Sequence, residues 1–248
     1  MNRVEPPQND VCDDLKIGGL KIYQPRSGYR FSIDPVLLCD FAGISGASRV
    51  VDLGTGSGVI PLILSSRYHE LQLTGIECQP AMVGRARRSV ALNELQDRIE
   101  IIEADIRQLP TNLTPSSFDA VLTNPPYRPA GNGRIAPNDE RAAARHELAG
   151  DFVDFLRAAS FLLRNSGKFY VVFLAERLAE LMSEMRTFRL EPKRLRMVHS
   201  RQGQASKLVL VEGRKNGKPG MQVEPPLFVY KGEGRDYTEE VLKMYREK

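Results

Sequence analysis

Four consecutive residues, Asn124-Pro125-Pro126-Tyr127, follow an apolar run of the kind that forms a buried strand. Because a proline keeps the residue before it out of the helical region, Asn124 and Pro125 are expected to be extended and stiff. The Asn124 side-chain oxygen and the Pro125 carbonyl could then accept hydrogen bonds from one planar NH2 group. Two such acceptors would hold the nitrogen in line with an electrophilic carbon and favour the charge that develops on it, so no strong base is needed.

Tyr127 adds a flat aromatic face on which a planar base can stack, worth about 1–3 kcal/mol per base in proteins that bind single strands. A base that is recognised in this way must be unpaired or swung out of a helix. In isolation, the same four residues are also typical of a turn capped by an aromatic ring. The functional interpretation therefore depends on a cofactor site beside Asn124.

A glycine-rich segment, DLGTGSG at 52–58, lies between an apolar run and a helical pattern. Glycine permits a tight turn there and lets a ligand approach the backbone without a Cβ in the way. Val59 stands where the third glycine of a dinucleotide-binding GxGxxG motif would fall, and no lysine is placed as in a phosphate-binding P-loop. The segment favours a nucleotide-like cofactor that has no pyrophosphate.

Three acidic residues, Asp52, Glu77 and Asp105, end three consecutive predicted strands. The carboxyl ends of parallel strands share the edge at which doubly wound sheets bind ligands. There Glu77 is expected to accept hydrogen bonds from ribose hydroxyls, and Asp105 from an adenine amino group. Each acid alone could equally be a helix N-cap. Together with the glycine turn they favour a cationic, phosphate-free ligand, and S-adenosylmethionine has an amine, a sulfonium and no phosphate.

Strand-like and helical patterns alternate through the middle of the chain, which predicts an α/β fold with a doubly wound, mostly parallel sheet. The first four strands of this sheet are predicted at 49–53, 71–77, 99–105 and 118–124. Three later strand-like runs within 194–231 lack helices between them. They are expected to add antiparallel strands at the C-terminal end of the sheet.

Residues 1–45 are predicted to form a small N-terminal extension that packs on a catalytic domain at 46–248. After a frayed start of about ten residues, LKIGGLKIYQ at 15–24 predicts a hairpin that turns at its two glycines. Asp34 followed by Pro35 predicts a helix with an aspartate N-cap and a proline in its first turn.

Basic residues are concentrated late in the chain. Lys and Arg outnumber Asp and Glu by 35 to 31, for a net charge of +4, and ten of the basic residues lie from Arg186 to Lys218 against only Glu191 and Glu212. This distribution is compatible with a polyanionic partner, although a solvated basic surface gives the same pattern.

Cys12, Cys39 and Cys78 are odd in number and widely separated, so neither a disulfide framework nor a thiolate metal site is predicted. The first ten residues are polar, and no stretch approaches the roughly 18 apolar residues of a membrane span. A cytoplasmic protein with reduced thiols is expected.

The glycine segment, Glu77, Asp105 and the NPPY residues together resemble the amino-methylating class of S-adenosylmethionine-dependent methyltransferases. Two flanking segments, GYRFSIDPVLL at 28–38 and PPLFVYKGEGRDYTEEVLKMY at 225–245, are similar to bacterial methyltransferases that modify the adenine N6 next to the anticodon of a valine tRNA. The likeness covers the chain from about Leu15 to Tyr245.

This resemblance implies a seven-stranded, Rossmann-like class I fold, a tRNA substrate, no metal, no membrane and no obligate protein partner. In such enzymes the four NPPY residues bind the target NH2 group and form the catalytic set, here Asn124, Pro125, Pro126 and Tyr127. The cofactor-binding residues that it implies are Arg30, Phe31, Ser32, Asp52, Gly54, Thr55, Gly56, Glu77, Cys78, Asp105, Ile106 and Asn124. In the loop that follows, Arg128, Arg134 and Arg145 are expected to hold phosphates around the presented base.

Other functions share parts of this pattern. A protein glutamine side chain or the N2 group of a ribosomal RNA guanine would suit the same acceptors. From different classes, an NAD-dependent oxidoreductase is disfavoured by the missing third glycine, and an RNA-binding module without a cofactor is disfavoured by the intact NPPY motif.

Overall fold

In the part of the chain that the structure describes, seven long strands lie side by side in a mixed sheet, and two strands of two residues complete one edge of it. The structure is a computed structural model that describes residues 10–26, 31–126 and 151–246. In chain order the strands are β1 (Asp10–Asp14), β2 (Lys21–Pro25), β3 (Arg49–Leu53), β4 (Gln72–Glu77), β5 (Ile99–Glu103), β6 (Phe118–Thr123), β7 (Leu163–Leu174), β8 (Leu190–His199), β9 (Ser206–Lys215), β10 (Gln222–Val223) and β11 (Leu227–Phe228). The helices are α1 (Asp34–Phe41), α2 (Val59–Arg67), α3 (Pro80–Leu92), α4 (Phe152–Leu162), α5 (Leu178–Thr187) and α6 (Glu239–Met244), with a 3-10 turn at Ala175–Arg177.

The order of the strands in the large sheet is β10-β8-β9-β7-β6-β3-β4-β5, and β11 also pairs with β8. From β3 the chain adds β4 and then β5 on one side, and it then returns to add β6 and β7 on the other side of β3. The direction of winding therefore reverses between β3 and β6. In open α/β sheets the crevice at this reversal, outside the carboxyl ends of the strands, is where ligands bind.

The predicted fold class is confirmed, with two differences in the late strands. Only β9 runs antiparallel to its neighbours β7 and β8, whereas β10 and β11 pair with β8 in parallel. The strand expected across 223–231 is also broken into two short pieces. Pro225 and Pro226 lie at the break, and because proline has no amide hydrogen they cannot donate to a continuous ladder.

Two apolar cores cover the two faces of the sheet. Val50 belongs to the core shared with α1, α2 and α3, while its neighbours Val51 and Leu53 belong to the core shared with α4 and α5. This alternation follows from the two-residue period of a strand, and burial on both faces explains why β3 reads as an unbroken apolar run.

The N-terminal hairpin begins earlier than predicted. β1 pairs antiparallel with β2, and the turn between them contains Lys16, Gly18 and Gly19 in the left-handed region. Leu15 and Ile17 belong to this turn rather than to a strand, and both are buried in the core beside α1. Their burial gives the turn the apolar pattern of a strand, which is why the sequence placed the first strand too late.

Asp10, expected within the frayed start of the chain, is a buried residue of β1. Its carboxylate accepts hydrogen bonds from Arg85 Nε at 2.7 Å and from Arg88 Nη2 at 2.5 Å, so an ion pair docks the hairpin on α3. The hairpin and α1 pack into the same apolar core as α2 and α3.

The start of α1 also differs from the prediction. Ile33 occupies the N-cap position, while Asp34 is the first helical residue and Pro35 lies in the first turn as expected. Ser32 supplies the local contact, because its Oγ accepts a hydrogen bond from the Asp34 amide at 3.3 Å. Among the described helices, none is long and apolar enough to cross a membrane.

Candidate active site

The turn after β3 is built on three glycines. Gly54, Gly56 and Gly58 have φ values of 71°, 58° and 84°, a region that side chains with a Cβ rarely adopt. The Ile76 carbonyl on β4 accepts hydrogen bonds from the amides of Gly54 at 2.9 Å and Thr55 at 3.0 Å. The turn is therefore fixed to the neighbouring strand rather than free to move as a loop.

Space around the three glycines differs. A Cβ on Gly54 would lie 3.0 Å from the Phe155 ring, and one on Gly58 would lie 3.3 Å from the Ala86 Cβ. A Cβ on Gly56 would meet no atom within 4 Å. Gly54 and Gly58 thus allow close packing, whereas Gly56 leaves open space through which a ligand can reach the backbone.

Glu77 ends β4 and connects the glycine turn to the start of α3. Its Oε2 accepts a hydrogen bond from the Gly56 amide at 3.0 Å, and its Oε1 accepts one from the Gln79 amide at 2.9 Å. The adjacent Cys78 thiol lies 3.6 Å from Glu77 Oε1. Burial raises the pKa of Cys78 to about 11, helped by the charge of Glu77, so this thiol is neutral and unreactive at physiological pH.

Asp52 is the penultimate residue of β3, which has the bounds predicted for it, and Asp52 is 3% exposed. Among the described residues, neither of its carboxylate oxygens makes a hydrogen bond of ordinary geometry, and the buried Thr55 hydroxyl beside it makes none either. Burial raises the pKa of Asp52 to about 8; the nearby Thr55 hydroxyl opposes this rise, and the charge of Glu77 adds to it. A buried carboxylate without a partner is costly, so a bound cation would stabilise it.

Asp105 lies two residues beyond the end of β5, and its carboxylate is already engaged. Arg107 donates to it from its backbone amide at 2.8 Å, from Nε at 3.0 Å to both oxygens and from Nη2 at 2.6 Å. These bonds lower the pKa of Asp105. Both carboxylate oxygens are therefore engaged by three N–H groups of Arg107. Sequence reasoning missed Arg107, although the DIR spacing was a visible signal.

Asn124 follows directly after β6, at the reversal of the winding. The preceding residue, Thr123, pairs with Leu53, the last residue of β3, and its Oγ1 donates to the Leu53 carbonyl at 2.9 Å. Asn124 follows Thr123 and Gly54 follows Leu53, so Asn124 and Gly54 each come directly after one of two paired residues. Asn124 and Pro126 are half-buried, and Pro125 is buried.

The other residues singled out by the sequence lie apart from this group or outside the described residues. Half-buried Phe31 packs against the core that covers α1, and its amide donates to the Gln24 side-chain oxygen at 3.1 Å. Ile106 is buried in the core on the other face of the sheet. Five residues lie outside the described ranges, namely Arg30, Tyr127, Arg128, Arg134 and Arg145.

The basic residues at 186–218 fall into separate groups in the fold, and the first group forms ion pairs. Arg194 forms ion pairs with Glu212 at 3.1 Å and Glu224 at 3.0 Å, and it stacks on Phe41 with 4.1 Å between the guanidinium carbon and the ring centroid. Arg196 pairs with Glu240 at 2.6 Å. These two arginines connect the late strands to α1 and α6, which is a structural role.

Other basic residues from this stretch lie at the opposite end of the sheet from Asn124. Arg214 is opposite Glu191 and Lys215 opposite Leu190, at the amino end of β8, and Lys218 follows in the next turn. The concentration of charge along the sequence therefore does not form one basic surface at the candidate site.

A comparison with known families identifies the architecture that carries these residues. Residues 36–188, more than half of the chain, match the family described as methyltransferase small domain. The chain belongs to that family. Among the described residues of this small methyltransferase domain, no group of three His, Cys, Asp or Glu side chains could hold a metal ion.

Several relatives of this small methyltransferase domain are named tRNA1(Val) (adenine(37)-N6)-methyltransferase. One from Actinobacillus succinogenes is 30% identical over 91% of this chain and 92% of the relative. One from Porphyromonas gingivalis is 32% identical over 78% of this chain and 77% of the relative. One from Bacteroides thetaiotaomicron is 27% identical over 91% and 92% of the two chains.

Solved structures agree on the fold. A predicted O-methyltransferase from Agrobacterium tumefaciens superposes with a TM-score of 0.70 at 24% identity, over 86% of this chain and 95% of that one. Pyrococcus horikoshii TYW2, solved in complex with MeSAdo, gives a TM-score of 0.55 at 15% identity, over 86% of this chain and 74% of that one. At these identities the likeness concerns the fold alone.

The chemistry of the site fits an S-adenosylmethionine type of cofactor. Asp52 provides a buried carboxyl whose charged form burial disfavours, and a cationic ligand would stabilise that charged form. Gly56 provides open backbone, and Glu77 provides a carboxylate at the end of β4. All three lie at the carboxyl edge of β3 and β4, and Asn124 follows β6 at the same edge.

Proposed function

We propose that this protein transfers a methyl group to the exocyclic N6 of an adenine in tRNA, at the position next to the anticodon. The observation that carries the proposal is the pairing of Thr123 with Leu53, which brings Asn124 beside the glycine turn. The tRNA and the adenine are supported by the relatives, whose shared name gives a valine tRNA and adenine 37.

The cofactor that we infer is S-adenosylmethionine, which supplies an activated methyl group when it is bound. Glu77 would hold the ribose hydroxyls, exchanging its bond to the Gly56 amide for them. Asp52 would offset the positive charge of the cofactor from its buried position under the turn. Asp105 would accept from the adenine amino group once Arg107 had moved aside.

Asn124 and Pro125 would orient the target amine. The Asn124 side-chain oxygen and the Pro125 carbonyl can each accept one hydrogen of an NH2 group, which turns the nitrogen lone pair out of conjugation with the ring. Positive charge that develops on the nitrogen would then be stabilised by these two oxygens. The proton can leave to solvent after the transfer, so the site needs no titrating base.

The base would enter the site unpaired, because a strand-edge pocket cannot read a base inside a helix. Tyr127 as the stacking surface and Arg128, Arg134 and Arg145 as phosphate contacts remain predictions from sequence, since they lie outside the described residues. If those arginines contact phosphates, neutralising all three should flatten the salt dependence of tRNA binding by about 0.9 per phosphate contact.

The test is a methyl-transfer assay with radiolabelled S-adenosylmethionine and three separate acceptors, namely total tRNA, ribosomal RNA and purified release factor. We expect label in tRNA only, and nucleoside mass spectrometry should identify N6-methyladenosine. A valine tRNA transcript with guanine in place of adenine at position 37 is the matched control and should stay unlabelled.

Two results would reject the proposal. Label confined to release factor would indicate methylation of a glutamine side chain. N2-methylguanosine in ribosomal RNA would indicate methylation of a guanine N2 group. Calorimetry distinguishes a methyltransferase from an NAD-dependent oxidoreductase, because the proposal requires binding of S-adenosylhomocysteine and no binding of NADH.

A further inference from the structure

Thr123 lies at the point where the two halves of the candidate site meet. It is the last residue of β6, directly before Asn124, and its Cα partner across the sheet is Leu53, directly before Gly54. Its side chain is completely buried, with 0% exposure. A hydroxyl in such a place needs a hydrogen-bond partner, and it has one in the Leu53 carbonyl at 2.9 Å.

The strand ladder itself cannot continue beyond this position. Pro125 and Pro126 have no amide hydrogen, so they cannot donate to β3 as further residues of β6 would. The Thr123 hydroxyl adds a side-chain link between β6 and β3 where backbone links run out. Serine is the only other residue type that could place a hydroxyl there without a longer side chain.

The Leu53–Gly54 peptide is held from both sides. Its carbonyl accepts from the Thr123 hydroxyl on β6, while its amide donates to the Ile76 carbonyl on β4 at 2.9 Å. These two bonds form a transverse chain across the carboxyl edge, from the residue before Asn124 to the residue before Glu77. Hydrogen bonds in such chains polarise and strengthen one another.

We propose that Thr123 is a positioning residue that fixes the distance between the cofactor turn at Gly54 and the acceptor Asn124. The inference rests on the proposed function for its effect on turnover. Methyl transfer requires the nitrogen and the methyl carbon to meet in line, and a misplacement of about 1 Å can cost about 100-fold in rate. The hydroxyl acts through the peptide that it holds and touches neither reacting group.

The experiment compares Thr123→Val with Thr123→Ser. Valine keeps the branched shape and removes the hydroxyl, whereas serine keeps the hydroxyl and removes the methyl group. Thr74→Val is the control, since Thr74 is a buried threonine on β4 that is removed from the carboxyl edge. For each variant, kcat and KM for tRNA, calorimetric affinity for S-adenosylhomocysteine and thermal unfolding are measured.

For Thr123→Val we expect kcat to fall by about 10- to 100-fold with KM for tRNA within about threefold, because the loss concerns geometry at the reacting atoms. Affinity for S-adenosylhomocysteine should fall by several-fold, because the Gly54 turn loses one support. Thr123→Ser should keep kcat within about threefold of wild type. Thr74→Val should leave both kcat and the affinity for S-adenosylhomocysteine unchanged.

Two outcomes would overturn the inference. One is a folded Thr123→Val variant with normal kcat and normal product affinity, and the other is a Thr123→Ser variant as impaired as the valine variant, which would assign the effect to packing. If the valine variant does not fold, Thr123→Cys, a weak donor of similar size, takes its place in the same comparison. If the wild-type protein fails to methylate tRNA, the proposed function fails, and the affinities for S-adenosylhomocysteine still decide the role of Thr123.

Discussion

Charged side chains have different surroundings in two regions of the sheet. The regions are the late strands, β8 and β9, and the carboxyl edge of β3, β4 and β6. In the late strands, Arg194 and Arg196 are paired with glutamates and packed against aromatic or helical neighbours. At the carboxyl edge, Asp52 is more deeply buried and both of its oxygens lack partners among the described residues. A buried titratable group that the fold leaves uncompensated indicates a ligand more reliably than a run of charge in the sequence.

The largest loss of activity should follow from removing the Asn124 side chain, which is proposed to bind the target amine. We expect Asn124→Ala to lower kcat by about 100-fold or more, because one of the two proposed acceptor oxygens is removed from the developing charge. Affinity for S-adenosylhomocysteine should stay within about twofold of wild type. Exposed Asn165 on β7 offers a control, since Asn165→Ala should leave turnover unchanged. A normal kcat in the Asn124 variant would remove this residue from the site.

The second prediction concerns Asp52 and the binding of a cation. With its pKa near 8, Asp52 carries a proton at lower pH and must lose it to offset a cationic ligand. Affinity for S-adenosylmethionine, whose sulfonium carries the positive charge, should therefore rise with pH, by up to about tenfold per unit below pH 8, and level off above that pH. Calorimetry from pH 6 to 8.5 measures this, and Asp52→Asn should bind more weakly with no such slope. A flat profile for the wild type would separate Asp52 from the cofactor.

The same pKa has a consequence for the ligand-free protein. The carboxyl loses its proton near pH 4 in the unfolded chain and near pH 8 in the folded one, so the folded state binds the extra proton between these values. The free energy of unfolding should thus fall across this window as pH rises. Urea unfolding at pH 5, 6.5 and 8 should show a smaller decline for Asp52→Asn than for wild type, and equal declines would contradict the assigned burial.

A smaller effect is expected at Arg107. Because Arg107 engages both oxygens of Asp105, a ligand that uses this carboxylate must first displace it. Exposed ion pairs are weak because solvent screens them, so Arg107→Ala should tighten binding of S-adenosylhomocysteine by only about two- to fivefold. Arg157→Ala, which breaks an exposed pair on α4, should have no effect. Weaker binding in the Arg107 variant would mean that the guanidinium supports the ligand instead.

The weakest effect on the candidate function should come from the late basic residues. Arg194→Gln should cost about 1–3 kcal/mol of stability in urea unfolding, because it leaves the half-buried Glu212 without its partner. Neutralising exposed Arg214 and Lys218 together should change neither stability nor the slope of log Kd for tRNA against log salt. A slope reduced by about two would show that the amino end of the sheet also contacts phosphates.

The sequence predicted the strands of the sheet core because their apolar runs are continuous and separated by helical patterns. It misplaced the hairpin, since Leu15 and Ile17 have the apolar pattern of a strand while they pack from a turn. The break between β10 and β11 was visible in Pro225 and Pro226, but the parallel pairing with β8 depends on tertiary contacts that no local pattern contains.

At the candidate site the residue types could be read from the sequence, while their present partners could not. Glu77 and Asp105 were expected to face a ligand, and the structure shows them bonded to Gly56 and Arg107. The role of Thr123 also had no signal in the sequence, because a threonine at the end of a strand is ordinary. Only the pairing of β6 with β3 gives its hydroxyl a partner at the reversal point.

The most direct test of the central claim is a crystal structure of the protein with S-adenosylhomocysteine. We predict that the ligand lies over the open backbone of Gly56, with its ribose at Glu77 and its sulfur directed towards Asn124. Density for the ligand at any other edge of the sheet, or a sulfur directed away from Asn124, would contradict the account.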